Sequence, residues 1–192
     1  MYLFFDTETT GLPAQNKYNA PASEIHVWPR MIQIAWEMYD KTGFLLCSRS
    51  ELIKPDGWKV PSEIFWMDNG FSQERSETYG LPIASVLSDF LEALSHAEYL
   101  IAHNINFDDK IVSAELIRYH LPPIKNVQKI CTKESSTDYC ALPGNFGKYK
   151  WPNLTELHNK LFGVGFDGAH DALVDVKACA KCFFALKEKG VI

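Results

Sequence analysis

The chain has 192 residues and a net charge of −5, with 46% hydrophobic and 22% charged residues. This length fits one domain with room for an insertion and can bury a core without metal or disulfide staples, and the composition excludes disordered and fibrous classes. The acidic balance excludes a protein that coats a polyanion, but not an enzyme that grips nucleic acid locally.

In chain order, the apolar run Tyr2 to Phe5 predicts a buried strand that stops at Asp6. A loop rich in Pro, Ala, Asn and Ser follows, from Gly11 to Arg30, with Pro13 to Arg30 long for a connection. Met31 to Tyr39 and Phe44 to Ile53 are the next two strands, joined through the turn Asp40-Lys-Thr-Gly43. Residues 54–80 show no sustained period and read as irregular. Pro82 opens a helix whose apolar positions Ile83, Val86, Leu87, Phe90 and Leu94 repeat at helical spacing. Tyr99 to Ala102 predicts a fourth strand. Asn106 is a candidate cap for a helix with Phe107, Ile111, Ala114 and Ile117 inward, stopping before Pro122. Val127 to Cys131 predicts a fifth strand. Asn153-Leu-Thr-Glu156 has the form of a capping box, with Leu154, Leu157 and Leu161 inward and Gly163 at the end. The last helix is expected from about Asp171 to Lys189. This order predicts an α/β fold, a mixed sheet covered by helices, in a single domain over 1–192.

Five cysteines, an odd number at irregular spacing, point to a reducing compartment. No run of 18 apolar residues is present, so no membrane span is expected. The start Met1-Tyr-Leu-Phe-Phe-Asp6 lacks the basic region and cleavage site of a signal peptide, and a cytoplasmic chain is expected.

Three acidic segments carry chemistry. Asp6 and Glu8 are two apart on a strand end, so their carboxylates project to one face. His103-Asn-Ile-Asn-Phe-Asp108 puts Asp108 in the first turn of a helix, where the dipole alone would favour it; Asp109 is its adjacent rival. In His170-Asp-Ala-Leu-Val-Asp175, residues five apart cannot share a helix face, which sets His170 on the preceding loop, Asp171 near the cap and Asp175 one turn inside. Asp175 falls among apolar neighbours, and a buried carboxylate needs a cation or donors.

The segments Phe5-Asp-Thr-Glu-Thr-Thr-Gly-Leu12, His103-Asn-Ile-Asn-Phe-Asp108 and His170-Asp-Ala-Leu-Val-Asp175 resemble the three motifs of the DEDDh exonucleases. The similarity is closest to the proofreading (epsilon) subunit of bacterial DNA polymerase III and its stand-alone relatives. It extends to Leu52-Ile-Lys-Pro55 and Leu161-Phe-Gly163. The resemblance implies a ribonuclease-H-like fold with a five-stranded mixed sheet and removal of nucleoside 5′-monophosphates from 3′ ends. It also implies two divalent cations, Mg²⁺ or Mn²⁺. Asp6, Glu8, Asp108 and Asp175 would hold the metals, and His170 would be the general base. Thr7, Thr10, Gly11, Leu12, His103, Asn104 and Phe107 would bind substrate: Glu8 and the Thr7 backbone at the 3′-hydroxyl, Leu12 as a wedge, His103 and Asn104 shaping the pocket. The partner expected is nucleic acid with a free 3′ end, DNA favoured. A DNA polymerase is a candidate second partner, although the sequence ends at Ile192 without the tail through which the epsilon subunit binds its polymerase and clamp. The loop over 13–30 is longer than in that subunit.

Two other features have competing readings. Cys179-Ala-Lys-Cys182 lies inside a predicted helix with no second pair, which favours core packing over a metal or redox site. Lys125, Lys129, Lys133, Lys148 and Lys150, with Tyr139, Phe146, Tyr149 and Trp151 among or beside them, fit either a single-strand platform or a solvated surface. Against the exonuclease stand a ribonuclease of the same family and a non-catalytic nucleic-acid-binding or polymerase-stabilising subunit.

Overall fold

The computed structural model describes residues 1–124 and 126–192. Strands β1 (Tyr2–Thr9), β2 (Met31–Tyr39), β3 (Leu45–Leu52), β4 (Tyr99–Ala102) and β5 (Gln128–Cys131) form one sheet in the order β3-β2-β1-β4-β5. β1 pairs antiparallel with β2 and parallel with β4, so the sheet changes sense at its central strand. The expected mixed five-stranded sheet is the one observed. β1 does not stop at Asp6. It continues to Thr9 because β2 is long enough to pair it, with an irregularity between Glu8 and Thr9.

Alternation along β1 divides the core. Leu3 and Phe5 face one side with helices α3 (Ile83–Ser95) and α4 (Ile105–Arg118); Tyr2 and Phe4 face the other with α8 (Ala172–Glu188). The five apolar positions expected on α3 are its five buried residues. α7 (Leu154–Phe162) carries the predicted capping box, both hydrogen bonds present, and ends at Gly163 with φ 76°. Cys179 and Cys182 pack in the core around α8.

Three further expectations require correction. Residues 54–80 are not irregular throughout: α1 (Ile64–Asp68) and α2 (Gln73–Tyr79) lie there, too short to print a period. α4 is preceded by Asn104 in the left-handed region (φ 83°), not by Asn106, and Asn tolerates that conformation best among non-glycine residues. The buried face of α4 runs through Ile111, Val112, Ala114 and Leu116, leaving Ile117 exposed. Two single-turn helices, α5 (Thr132–Ser135) and α6 (Thr137–Cys140), follow β5 directly.

The segment between β1 and β2 is ordered by specific bonds. Val27 and Trp28 are buried in the main core, and the Trp28 indole donates to the Pro21 carbonyl at 3.2 Å. Arg118 donates to the carbonyls of Ile25, Trp28 and Pro29, and both Arg118 and Arg30 pair with the buried Glu115. Among the described residues no helix is long and apolar enough to cross a membrane.

Candidate active site

Asp6 and Glu8 leave the same face of β1, and α8 crosses that face, bringing Asp175 down onto them. One carboxylate oxygen from each of Asp6, Glu8 and Asp175 lies within 4.8 Å of the others. The start of α8 is fixed twice. Asp171 accepts from the N–H groups of Leu173 and Val174, at 3.0 and 3.2 Å. Gln33 on β2 accepts from the Ala172 N–H at 3.1 Å, tying the helix to the sheet.

Asp108 approaches from the other side. It is buried in the first turn of α4, and its Oδ1 accepts from the Thr7 N–H at 3.1 Å and the Thr7 hydroxyl at 2.7 Å. Thr7 points away from Asp6 and Glu8 by strand alternation, so β1 meets carboxylates on both faces at once. Of the Thr7 backbone, expected at the 3′-hydroxyl, the N–H is committed to Asp108. The rival Asp109 turns outward to Lys129 at 2.7 Å.

No protein cation pairs with Asp6, Glu8, Asp108 or Asp175 among the described residues, and their acidity reflects this. Burial, then Asp108, Glu8 and Asp175, push the Asp6 carboxyl well above the usual carboxylate range. Glu8 is pushed up to about 8 by burial and then by Asp175 and Asp108. Burial lifts Asp108 to about 7 against the two Thr7 hydrogen bonds, which pull it down. Burial also raises Asp175, opposed by the His170 N–H. Four carboxyls with raised proton affinity and an all-oxygen donor set suit a hard divalent cation, which would replace the protons.

His170 sits immediately before α8 at φ 72°, a left-handed conformation that is costly for a non-glycine residue. That conformation aims its N–H at Asp175 Oδ2, 3.1 Å away. Its ring is exposed and packs edge-on against Phe65, centroids 5.1 Å apart. Phe65 belongs to α1, whose Trp66 indole donates to the Thr9 carbonyl at 3.0 Å. Sequence reasoning missed this short helix, which links the end of β1 to the imidazole; its only signal was the apolar cluster Ile64 to Met67.

The expected substrate-binding residues divide into open and committed groups. Leu12 is 66% exposed, and Gly11 has open space around it. Thr10 is tied to Arg30, its hydroxyl accepting from the Arg30 N–H at 3.0 Å. His103 has both ring nitrogens engaged within the chain. Its Nε2 must donate to the Pro152 carbonyl at 3.0 Å, leaving Nδ1 to accept from the Thr132 hydroxyl at 3.0 Å. Burial holds this imidazole down at about 4, so it is neutral. Asn104 Oδ1 accepts from Lys133 at 2.5 Å, and Phe107 is half-buried with its ring 6.3 Å from that of Trp28. The basic stretch is less free than its composition implied, because Lys129 pairs with Asp109 and Lys150 with Glu156; Lys125 lies outside the described residues.

Residues 3–183 match the family model described as Exonuclease. The PolC-type DNA polymerase III of Streptococcus thermophilus is 30% identical over 183 residues, covering 95% of this chain and 11% of the relative. The DNA polymerase III subunit epsilon of Treponema pallidum is 28% identical over 181 residues, covering 93% of this chain and 73% of the subunit. Among solved structures, E. coli exonuclease I in complex with a dT13 oligonucleotide superposes with a TM-score of 0.72 at 20% identity, over 97% of this chain and 40% of that one. Exonuclease I from Methylocaldum szegediense gives 0.73 at 21%, over 98% and 40%. The chain therefore spans about a tenth of the PolC-type polymerases and two-fifths of the exonuclease I chains it matches, and it shares with the latter the ribonuclease-H-like fold.

Proposed function

Because the chain belongs to the exonuclease family, we propose that it hydrolyses single-stranded or frayed DNA from the 3′ end and releases nucleoside 5′-monophosphates. The observation that carries this reading is the convergence of Asp6, Glu8 and Asp175 within 4.8 Å at the end of the central strand. Asp6, Glu8 and Asp175 would hold one divalent cation, and Asp6 with Asp108 a second, Mg²⁺ or Mn²⁺ by the hardness of the donors. Cations there supply charge stabilisation to the attacking and leaving oxygens of an in-line displacement.

The remaining work falls to side chains. His170 takes the proton from the attacking water at a ring nitrogen, the role for which imidazole is the commonest side chain. Phe65 limits the sweep of that ring, while the His170 N–H steadies Asp175. Glu8 meets the terminal 3′-hydroxyl, Leu12 leans on the last base, and Phe107 flanks it. His103 and Thr7 act one step back, holding the pocket wall and Asp108. The residues 1–192 act as one exonuclease domain with the segment 13–30 as an elaboration. The DNA preference and a polymerase as candidate partner rest on the relatives, DNA polymerase III proteins and an exonuclease I that binds dT13.

The test is side-by-side digestion of 3′-labelled single-stranded DNA, mismatched and matched duplex DNA, and RNA with Mg²⁺ or Mn²⁺. Single strands and mismatched ends should be shortened faster than matched duplex, because fraying costs ~1.4 kcal/mol per base-pair step. Chelator should stop release. No chelator-sensitive release of 5′-mononucleotides would overturn the reading, and faster attack on RNA would overturn the choice of DNA alone.

A further inference from the structure

At the start of α4, where Asn104 and Phe107 of the second motif lie, opens a cleft of about 300 Å³ whose remaining walls come from outside the motifs. Its walls come from three separated segments: Tyr18 and Asn19 from the segment between β1 and β2, Phe107 with Asn104 and Asn106 from the start of α4, and Lys133, Glu134 and Trp151 from the region after β5, with Trp28 at its floor, so one ammonium and one carboxylate share the rim. Trp151 is 61% and Tyr18 47% exposed, so both rings are accessible at the rim of the cleft. The Lys133 ammonium sits 4.5 Å from the centre of the Trp151 ring and donates to Asn104 Oδ1, so the indole is held at a fixed place on the rim. Trp28 is immobilised by the Pro21 carbonyl and carries Phe107 edge-on.

Aromatic faces with one ammonium and neighbouring amides are the chemistry that receives a nucleobase and its phosphate in a single strand. We propose that this cleft seats an unpaired base upstream of the scissile bond, stacked against Trp151 and Tyr18 with Lys133 at the adjoining phosphate. The segment 13–30 would then be a specificity device, since Tyr18 and Asn19 reach the cleft only by way of it. This inference rests on the exonuclease reading, in which the terminal nucleotide occupies the neighbouring carboxylate site.

Stacking on an aromatic ring is worth about 5- to 150-fold in affinity per base. Two measurements separate the cleft from the reaction. First, binding of single-stranded oligonucleotides of one to five nucleotides, DNA and RNA in parallel arms, is followed by fluorescence anisotropy in chelator, where nothing is cleaved. Trp151→Ala and Tyr18→Ala should weaken the longer oligomers by that range and the mononucleotide far less, and Trp151→Phe should recover most of the loss. Second, steady-state kinetics on the same series should show the penalty in KM, growing with length, rather than in kcat. The exposed Tyr79→Ala, on α2 away from the cleft, should change neither. An equal penalty at every length, or none for both variants in chelator, would overturn the cleft. Absence of cleavage by the parent protein, with length-dependent binding loss intact, would overturn the exonuclease reading and leave the cleft standing.

Discussion

Asp108 and Glu115 lie about two turns apart on one stripe of α4, both buried, and the fold treats them in opposite ways. Glu115 receives Arg30 at 2.8 Å, Arg118 at 3.0 Å and the Met31 N–H at 3.0 Å on a single oxygen. Its charge is neutralised from within the chain. Among the described residues Asp108 receives the two donors of Thr7 and no side-chain cation, and burial leaves its carboxyl at about 7. The same residue chemistry on the same helix thus makes a structural clasp at one end and an uncompensated acid at the other. A buried acid without a counter-charge among the described residues is the kind of site that an external cation can stabilise.

The largest effect expected is at the uncompensated end. Asp108→Asn and Asp6→Ala should each bring chelator-sensitive nucleotide release down to the blank, while the metal-free variants melt no lower than the parent at pH 8, since each removes a repelling charge. Full release by Asp6→Ala would break the assignment of the acidic cluster. Next, His170→Ala should lower kcat by ~10²–10⁴ with Mn²⁺ binding by calorimetry unchanged; loss of Mn²⁺ binding would make His170 a ligand instead of a base.

The clasp should fail differently. Glu115→Gln strands two arginines and should cost ~3–5 kcal/mol of stability in denaturant unfolding, with kcat per folded molecule within tenfold of the parent. A variant that stays stable but inactive would erase the distinction drawn between the two acids.

A pH experiment sharpens the comparison without mutation. A carboxyl whose folded pKa is raised keeps protons that the unfolded chain has released, so stability falls as pH rises through the folded value. Glu8 at about 8 and Asp108 at about 7 set that loss. His103, held at about 4, acts oppositely: it adds stability as pH rises from 4 to its usual value near 6.5 and nothing above. The metal-free protein should therefore lose melting temperature between pH 6.5 and 8, and saturating Mg²⁺ should flatten the decline. A metal-free protein more stable at pH 8 than at 6.5 would contradict the acidic cluster. The smallest effect is expected at Trp66→Phe, which removes the bond to the Thr9 carbonyl and should cost ~1 kcal/mol with kcat reduced only severalfold.

How far these features were readable follows from the range of the interactions involved. The period of two along β1 announced Asp6 and Glu8 as a pair, and the spacing of five from His170 to Asp175 put the imidazole outside α8; both are local properties of a backbone. The face of α4 was read one residue off, Ile117 for Leu116, because the buried face is broad and either fits a helical repeat. Asn106 was the cap expected of α4, and the left-handed turn that starts the helix at Asn104 instead is a backbone property that residue spacing does not print. Phe65, Trp66 and Gln33 were illegible for a deeper reason. Each acts by touching a partner far along the chain, His170, Thr9 and Ala172, and a five-residue helix carries too little pattern to reveal itself.

The Arg118 clasp has a consequence for how this chain can diversify. By gripping Ile25, Trp28 and Pro29 it closes the β1–β2 segment at its downstream end, while the Thr10–Arg30 bonds close it at its root. The stretch from Gly11 to Glu24 is then an enclosed arc, pinned inside by the Ala14–Val27 and Trp28–Pro21 bonds, whose length can change between those pins. Doubling such an arc costs only ~0.6 kcal/mol of closure entropy. Insertions and deletions there should be inherited almost silently as far as the carboxylates are concerned, so that lineages could trade one reach over the incoming strand for another while the hydrolytic centre stays fixed.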